Sequence, residues 1–485
     1  MASPLMLSVS GCRGVVGESL TPEVATRFAA TFGTFLRERA GERGVTVVIG
    51  RDGRRGGEMV QHAAIAGLIG VGCDVMDLGV AMTPTTAVMT DAVGRTGRGR
   101  MVAGMVLTAS HNPQMWNGLK CLLAEGGEHG SAACAPAPEL AGRVIEAFKT
   151  GKTGWRGWEQ IGTIQSEPSA ADEHVDRVMH ALEAAKVSDV PSRLGEGVRV
   201  AVDSVNASGV EGARLCLESL GCEEILHIGA GANGLFPHAP EPTKENLSQP
   251  GGLCDAVVGG ECAVGFAQDP DADRLAIIDE RGRYIGEEYT LALCAMALLE
   301  ASGSVPDAVL VTNLSTSRML DDVAERYGAK VLRTPVGEAH VVAAMKREAA
   351  AGRTVICGGE GNGGLIWPRV TYVRDSLAAM ALVVSLLEGG RRTVSELVEG
   401  LPRYAIEKRK KELLRREDGA GVLDALAKRY AGERVDTSDG VWVDLASRRA
   451  WLHVRASNTE PIMRFIAEAP TSAEANALLD EAMGA

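Results

Sequence analysis

Short β-branched runs recur along this chain, separated by longer Ala/Leu-rich segments, and this rhythm restricts the fold more than any other feature. Residues 45–50 read as a strand, 51–54 as the loop beyond it and 58–70 as a helix, followed by strands at 73–78 and 101–107. The pattern resumes at 198–203, 224–228, 263–267, 308–311, 330–332 and 354–357. Strands alternating with helices form βαβ units and mainly parallel sheets. With 485 residues, the chain is longer than the roughly 250–300 at which a single core stops growing, so several domains are expected. The rhythm breaks near 150–170, 282–286 and 389–401. The final segment is different in kind: a charged stretch at 407–417, a helical Ala/Leu/Arg stretch, then strand-like 440–445 and 450–454. The expected fold is α/β, with three mixed- or parallel-sheet α/β domains (1–160, 161–284, 285–395) and a smaller C-terminal α+β domain (396–485). No internal repeat is visible as sequence identity.

The formal net charge of −13 argues against a nucleic-acid partner, which needs a basic face. A few well-placed Arg and Lys can still focus positive potential in one cleft for a small phosphorylated ligand. No apolar run approaches the ~18 residues of a membrane span. Residues 1–14 have no basic region ahead of an apolar stretch, so neither a signal peptide nor a membrane partner is expected. The ten cysteines form no Cys-x-x-Cys pair, which leaves zinc-ribbon and thioredoxin readings unsupported. Reduced, mostly buried thiols and a cytoplasmic location are expected.

In open α/β sheets ligands bind beyond the carboxyl ends of strands, and four such loops stand out. Thr108-Ala109-Ser110-His111-Asn112-Pro113 puts a serine where a nucleophile should be. No Gly-x-Ser-x-Gly elbow surrounds it, and an adjacent His rarely serves as a triad base. In Asp269-Pro270-Asp271-Ala272-Asp273-Arg274, three carboxylates at alternate positions can converge on a hard cation such as Mg²⁺, leaving coordination open for a phosphate oxygen. An EF-hand reading fails because Arg274 stands where the turn needs Gly and both flanks look like strands. Gly358-Gly359-Glu360-Gly361-Asn362-Gly363-Gly364 lets backbone approach a ligand, and Glu360 and Asn362 can bind sugar hydroxyls. In Arg455-Ala456-Ser457-Asn458-Thr459-Glu460-Pro461, Arg455 can fork onto a phosphate, with hydroxyls and backbone N–H groups completing the cradle. A fifth loop, Gly229-Ala230-Gly231-Ala232-Asn233-Gly234, matches the dinucleotide pattern Gly-x-Gly-x-x-Gly. Pro237 and Pro240 exclude the helix that should follow, so it is expected to be a plain loop.

Taken in order, these loops resemble the α-D-phosphohexomutase family over essentially the whole chain. Ser10-Gly11-Cys12-Arg13-Gly14, Gly50-Arg51-Asp52-x-Arg54 and Asn117-Gly118-Leu119-Lys120 are similar to further motifs of that family. The resemblance implies four domains around a central cleft, each contributing one loop. It also implies phosphoryl transfer between O1 and O6 of a hexose through a phosphoserine at Ser110, with a hexose 1,6-bisphosphate as intermediate and activator. One Mg²⁺ per active site would be held by Asp269, Asp271, Asp273 and a phosphoserine oxygen at Ser110. Arg455, Ser457, Asn458 and Thr459 would grip the non-reacting phosphate, with Arg13, Lys120 and Arg274 near the reacting one. Lys120 would act as general acid/base if neighbouring positive charge lowers its pKa.

Many relatives close the sugar loop with Ser-Gly-His, whereas Asn362-Gly363-Gly364 has no His here. Proton transfer then falls to Lys120, to His111 or His340, or to water. Arg374-Asp375-Ser376 replaces the commoner Arg-Asp-Gly. The resemblance is strongest to the phosphoglucosamine mutase-like subgroup, which implies conversion of glucosamine 6-phosphate to glucosamine 1-phosphate. A mutase for mannose or glucose phosphates is the same-class alternative, and a metal-dependent phosphosugar phosphatase is the alternative of another class. A non-catalytic sugar-phosphate sensor should lack the nucleophile or the metal loop, and both are complete. The expected partner is a small phosphosugar and the expected state a monomer or homodimer.

Overall fold

A computed structural model describes residues 4–96, 99–124, 132–231, 233–303, 305–413, 418–456 and 462–484. It contains four sheets, each drawn from one stretch of the chain. Three of them share a plan that sequence identity does not reveal. In the first, Val45–Arg51 pairs in parallel with Asp74–Val80 on one side and Met101–Leu107 on the other, and Trp116–Ala124 returns antiparallel to Met101–Leu107. In the second, Arg199–Asp203 lies between Glu224–Ile228 and Val264–Gln268, with Leu275–Asp279 returning antiparallel. The third repeats this with Ala308–Asn313, Lys330–Thr334, Thr354–Glu360 and Gly364–Ile366.

In each unit the turn from the third strand to the antiparallel fourth is one of the loops singled out from sequence: 108–115, 269–274 and 361–363. Each holds a residue in the left-handed region: Ser110 (φ 52°), Ala272 (φ 52°) and Gly363 (φ 83°). For the two non-glycines this conformation costs about 1–2 kcal/mol, a strain characteristic of functional loops.

The first sheet is extended by Met6–Ser8, Gly11–Val15 and Ala133–Cys134, and by Ile164–Ser166 beside Asp74–Val80. That last strand lies past the boundary expected at residue 160. The fourth sheet is wholly antiparallel, in the order Ala405–Glu412, Ile462–Ala469, Ala450–Ala456, Val441–Leu445, Arg434–Asp436. Helices Asp418–Arg429 and Ser472–Met483 accompany it. Ala405–Glu412 runs into the charged stretch at 407–417. It is an edge strand, where Lys and Arg block further pairing.

Helices start and stop for local reasons. Pro22–Ala40 is capped by Thr21, whose Oγ1 accepts the Val24 N–H at 3.3 Å, and it ends at Gly41 (φ 63°). Two helices, Glu288–Ser302 and Ser376–Leu386, are buried on nearly every face and form the core joining the second and third units. Asp375 caps the latter by accepting the Leu377 N–H at 2.9 Å. Its other oxygen meets His174 Nε2 at 3.0 Å, while His174 Nδ1 meets Thr85 Oγ1 at 2.9 Å. None of the ten cysteines is in a disulfide, and all but Cys222 are buried. Burial pushes Cys12 and Cys73, for example, up to about 12.

The Gly-x-Gly-x-x-Gly stretch is not followed by a helix until Lys244–Leu247, as its prolines require. This loop docks the second unit onto the first. Gly234 O accepts from Arg55 N at 3.0 Å and Gln114 Nε2 at 2.9 Å, and Arg54 lies over the Phe236 ring. His238 secures its far end, with Nε2 2.8 Å from Asp203 Oδ2 and Nδ1 2.8 Å from Ala239 O. The Asp203 contact raises the imidazole pKa above 6.5, against burial, which lowers it. The stabilisation is therefore complete below about pH 6.5 and is lost as pH rises through the elevated folded-state pKa. Thermal unfolding of wild type and His238→Gln at about pH 6 and pH 9 tests this linkage. The wild-type advantage in Tm should be larger at the lower pH, and an equal advantage at both would remove the charge from the account.

Candidate active site

The loop that carries Ser110 is shaped by Arg54, a fully buried guanidinium. Arg54 Nε bonds Asp52 Oδ2 at 2.8 Å and Nη2 donates to Ser110 O at 2.6 Å. Its Nη1 reaches the carbonyls of Trp116 (2.6 Å), Asn112 and Pro113 (both 3.3 Å). One rigid fork thus fixes three carbonyls of the loop and the first carbonyl of the strand beyond it. Thr108 Oγ1 accepts the Ser110 N–H at 2.8 Å. Ser110 is left 3% exposed, its hydroxyl donating to Asp269 Oδ2 at 3.0 Å with His111 Nδ1 at 3.3 Å.

Asp269, Asp271 and Asp273 are buried, and one oxygen from each lies within 4.8 Å of the others. Each carboxylate has one oxygen held from behind. Asp269 Oδ1 accepts the N–H groups of Asp273 and Arg274, both at 3.2 Å. Asp271 Oδ2 takes the Thr83 hydroxyl at 2.7 Å and Lys120 Nζ at 2.6 Å. Asp273 Oδ2 takes Arg374 Nη2 at 2.6 Å and Lys120 Nζ at 3.4 Å. Asp271 Oδ1 and Asp273 Oδ1 are buried without a hydrogen-bond partner among the described residues. Such orphaned acceptors are costly. Together with Asp269 Oδ2 and the Ser110 hydroxyl they offer hard oxygen donors suited to Mg²⁺.

The surrounding charges are strongly coupled. Burial and the two neighbouring carboxylates hold Asp269 well above the usual carboxylate range. Burial also pushes Asp271 up, but Lys120 and the Thr83 hydroxyl outweigh it and hold the group low. For Lys120, burial lowers the pKa, yet Asp271 and Asp273 more than compensate and raise it. Arg13 and Arg374 lower it, as neighbouring positive charge must, but the carboxylates outweigh them. Arg13 enters from Gly11–Val15, the strand beside Lys120's own, and its Nε is buried without a hydrogen-bond partner among the described residues. Gly118 opposite it leaves the space, since a Cβ there would come 2.8 Å from Arg13 Cγ. Arg274 Nε is likewise buried and lies 3.9 Å from Asp273 Oδ1. Burial and Arg274 bring His111 down to about 4, so its imidazole is neutral at neutral pH. His340 is exposed at the start of helix Glu338–Ala350.

Glu360 and Asn362 lie across the metal loop from Ser110 and are tied to it through Arg374. Asn313 Nδ2 donates to Glu360 Oε1 at 2.8 Å, and Arg374 Nη1 meets Glu360 Oε2 at 3.2 Å and Asn362 Oδ1 at 3.4 Å. Gly363 must be glycine: besides its positive φ, a Cβ would come 2.6 Å from Leu275 O. A cavity of about 420 Å³ opens between this loop and the fourth unit. Glu287, Glu288, Asn313, Glu360 and Asn362 line one wall, and Lys408, Lys410, Arg455 and Arg464 the other. Arg455 Nη1 lies 3.1 Å from Asp439 Oδ2, and its Nε is buried without a hydrogen-bond partner among the described residues. Ser457, Asn458 and Thr459 lie outside the described residues.

Sequence reasoning missed Arg54, Thr83, Asn313 and Arg374 as members of this site. Arg54 and Arg374 stand in motifs that were legible, whereas Thr83 and Asn313 carry no local signal. Ser376 in place of glycine does not disturb the turn. It opens a helix, and its hydroxyl donates to Ala272 O at 2.7 Å, adding a tie to the metal loop.

Models of the phosphoglucomutase/phosphomannomutase family match the chain in order. The alpha/beta/alpha domains I, II and III match residues 6–135, 172–282 and 287–404, and the C-terminal domain matches 406–485. A Thermococcus kodakarensis protein named "Phosphoglucomutase/phosphomannomutase" is 36% identical, covering 97% of this chain and 96% of its own. A Methanopyrus kandleri protein named "Probable phosphoglucosamine mutase" is 35% identical, covering 97% and 95%. Among solved structures, a phosphoglucomutase/phosphomannomutase family protein from Burkholderia thailandensis is similar at 25% identity and a TM-score of 0.76, covering 98% of this chain and 96% of that one. The four-unit fold and this agreement along the whole chain lead to one conclusion: the chain belongs to the phosphoglucomutase/phosphomannomutase family, and is a phosphohexomutase, an isomerase that transfers a phosphoryl group within a hexose phosphate.

Proposed function

We propose that this phosphohexomutase converts glucosamine 6-phosphate to glucosamine 1-phosphate through a phosphoserine at Ser110 and a hexose 1,6-bisphosphate. The observation that carries the reading is the Ser110 hydroxyl 3.0 Å from Asp269 Oδ2, beside two carboxylate oxygens without partners. Asp269, Asp271 and Asp273 would hold Mg²⁺ with a Ser110 phosphate oxygen as a further ligand; the ion, when bound, neutralises charge that develops on the transferred group. Arg13, Lys120 and Arg274 would bind the reacting phosphate by charge. Lys120, paired with Asp271 and Asp273, is better suited to that electrostatic task than to giving up its proton. His111, neutral and 3.3 Å from Ser110 Oγ, would accept the proton. The basic wall, with Arg455, would hold the other phosphate in either orientation of the bisphosphate, together with Ser457, Asn458 and Thr459. A 1,6-bisphosphate would also prime a dephosphorylated Ser110.

The preference for an amino sugar rests on Glu287 and Glu360 in the cavity wall, whose carboxylates can accept from a 2-ammonium group, and on relatives such as the one from M. kandleri. The T. kodakarensis name supports the second reading, a mutase for glucose or mannose phosphates.

Phosphorus NMR of the protein with Mg²⁺, a trace of glucose 1,6-bisphosphate and, separately, the 1-phosphates of glucosamine, glucose and mannose decides among them. The expected result is 6-phosphate without free phosphate, fastest from glucosamine 1-phosphate. A faster reaction with glucose or mannose 1-phosphate selects the second reading, and predominant free phosphate indicates a phosphatase. Ser110→Ala should lower turnover by at least about 10³-fold while circular dichroism stays that of the wild type. Substantial residual turnover would take the nucleophile's role from Ser110. Asp271→Asn should raise the Mg²⁺ needed for half-maximal turnover by at least about tenfold, and an unchanged requirement would place the metal elsewhere.

A further inference from the structure

Arg374 touches both the metal loop and the sugar loop. Its guanidinium is buried among three carboxylates: Asp273 (2.6 Å from Nη2), Glu360 (3.2 Å from Nη1) and Glu338 (2.8 Å from Nε). Asn362 Oδ1 shares Nη1 at 3.4 Å. The side-chain stem fills the space beside Gly364, where any Cβ would overlap Arg374 Cδ, so the sugar loop is moulded over it. The backbone behind is rigid: Asp375 N–H donates to Leu365 O at 2.8 Å, Asp375 caps a helix and binds His174, and Ser376 ties to Ala272 O. A guanidinium anchored at its base and forked at its tip can redistribute its donors between two acceptor sets with little movement of its stem.

We infer that Arg374 is a positioning residue that links occupancy of the aspartate site to the geometry of the sugar loop; the inference rests on the proposal that Asp269, Asp271 and Asp273 hold Mg²⁺. A dication on the aspartates satisfies the charge of Asp273, which weakens its hold on Nη2. The guanidinium then binds Glu360 and Asn362 more tightly and orders the sugar loop. The linkage is reciprocal by thermodynamic necessity, so a ligand that orders Glu360 and Asn362 raises the affinity of the aspartates for the ion. A backbone hydrogen bond also joins the two loops, Leu275 N–H to Gly363 O at 2.9 Å, and is the competing route.

Hydrogen exchange of segment 360–364 with and without saturating Mg²⁺, beside calorimetric Mg²⁺ titration of the same samples, tests the inference without turnover. In wild type, Mg²⁺ should slow exchange of this segment by about fivefold or more. Arg374→Met should still bind Mg²⁺ but lose the Mg²⁺-dependent slowing. Arg374→Lys, which keeps the charge without the fork, should retain only part of it, and serves where the methionine variant does not fold. Thr83→Val removes a partner of Asp271 and none of the sugar loop, so the slowing should remain. If the slowing survives in Arg374→Met or is whole in Arg374→Lys, the linkage runs through the Leu275–Gly363 hydrogen bond and the inference fails. It fails equally if wild type binds Mg²⁺ and shows no change in exchange. Wild type that takes up no Mg²⁺ overturns the metal reading itself, and the inference with it.

Discussion

Three carboxylates buried within reach of one another are the costliest arrangement in this molecule, and much of the surrounding architecture answers it. Removing even one ionised carboxylate from water costs several kcal/mol unless it is paired and hydrogen-bonded. Here the compensation comes from separate stretches of chain: Lys120 from the strand Trp116–Ala124, Thr83 from the start of the helix Thr83–Thr96, Arg374 from the turn beyond the third sheet. Each pins the outer oxygen of an aspartate and leaves the inner one free, so the same contacts that make burial tolerable also aim the donors. The domains must stay together for this to hold, because no single unit supplies enough positive charge for its own loop.

That requirement explains the use of one strand order three times. Turning from a third parallel strand into an antiparallel fourth creates a tight loop at the carboxyl edge of a sheet. Three sheets deliver three such loops to one place: a serine, a set of aspartates, and the polar pair Glu360 and Asn362. The left-handed residue in each loop, at Ser110, Ala272 and Gly363, is the local cost of so sharp a reversal. At Ser110 it is offset by the four carbonyls that Arg54 gathers.

The sequence displayed the loops more clearly than their supports. Strands such as Met101–Leu107 and Arg199–Asp203 were legible because both faces are buried, giving continuous apolar runs before a polar turn. The aspartate triad and the serine loop carry their chemistry in consecutive residues. Arg54 and Arg374 were visible as parts of motifs, but their work is done on residues far along the chain, and a spacing pattern does not reveal a partner one hundred positions away. The strand Ala405–Glu412 was illegible for another reason: an exposed edge replaces apolar alternation with lysine and arginine. The loop at 229–234 was legible as a stretch with no helix directly after it, yet its part in clamping the first unit to the second, through Gly234 and Phe236, depends on tertiary contact alone. The acid/base role of Lys120 hung on neighbouring positive charge lowering its pKa, and the sequence does not reveal that folding sets two aspartates against it.

The sugar loop has no histidine at its end, and the proton balance around Ser110 suggests how the site does without one. Two acceptors face a single hydroxyl proton: Asp269 Oδ2 at 3.0 Å and His111 Nδ1 at 3.3 Å. They compete, and the carboxylate holds the hydrogen bond while nothing else claims its oxygen. On the proposed reading, a cation among the aspartates does claim it, and a cation-bound carboxylate oxygen is a poorer base. The imidazole is then the remaining acceptor in contact. It is kept neutral by burial and by the charge of Arg274, the same residue that follows the last aspartate. Its Nε2 lies 3.8 Å from Glu241 Oε1, which with Asp271 and Asp273 would steady the imidazolium that forms. On the same reading, an acid/base beside Ser110 would stand in for one carried on the sugar loop, with Arg274 keeping its imidazole in the neutral form that can accept a proton.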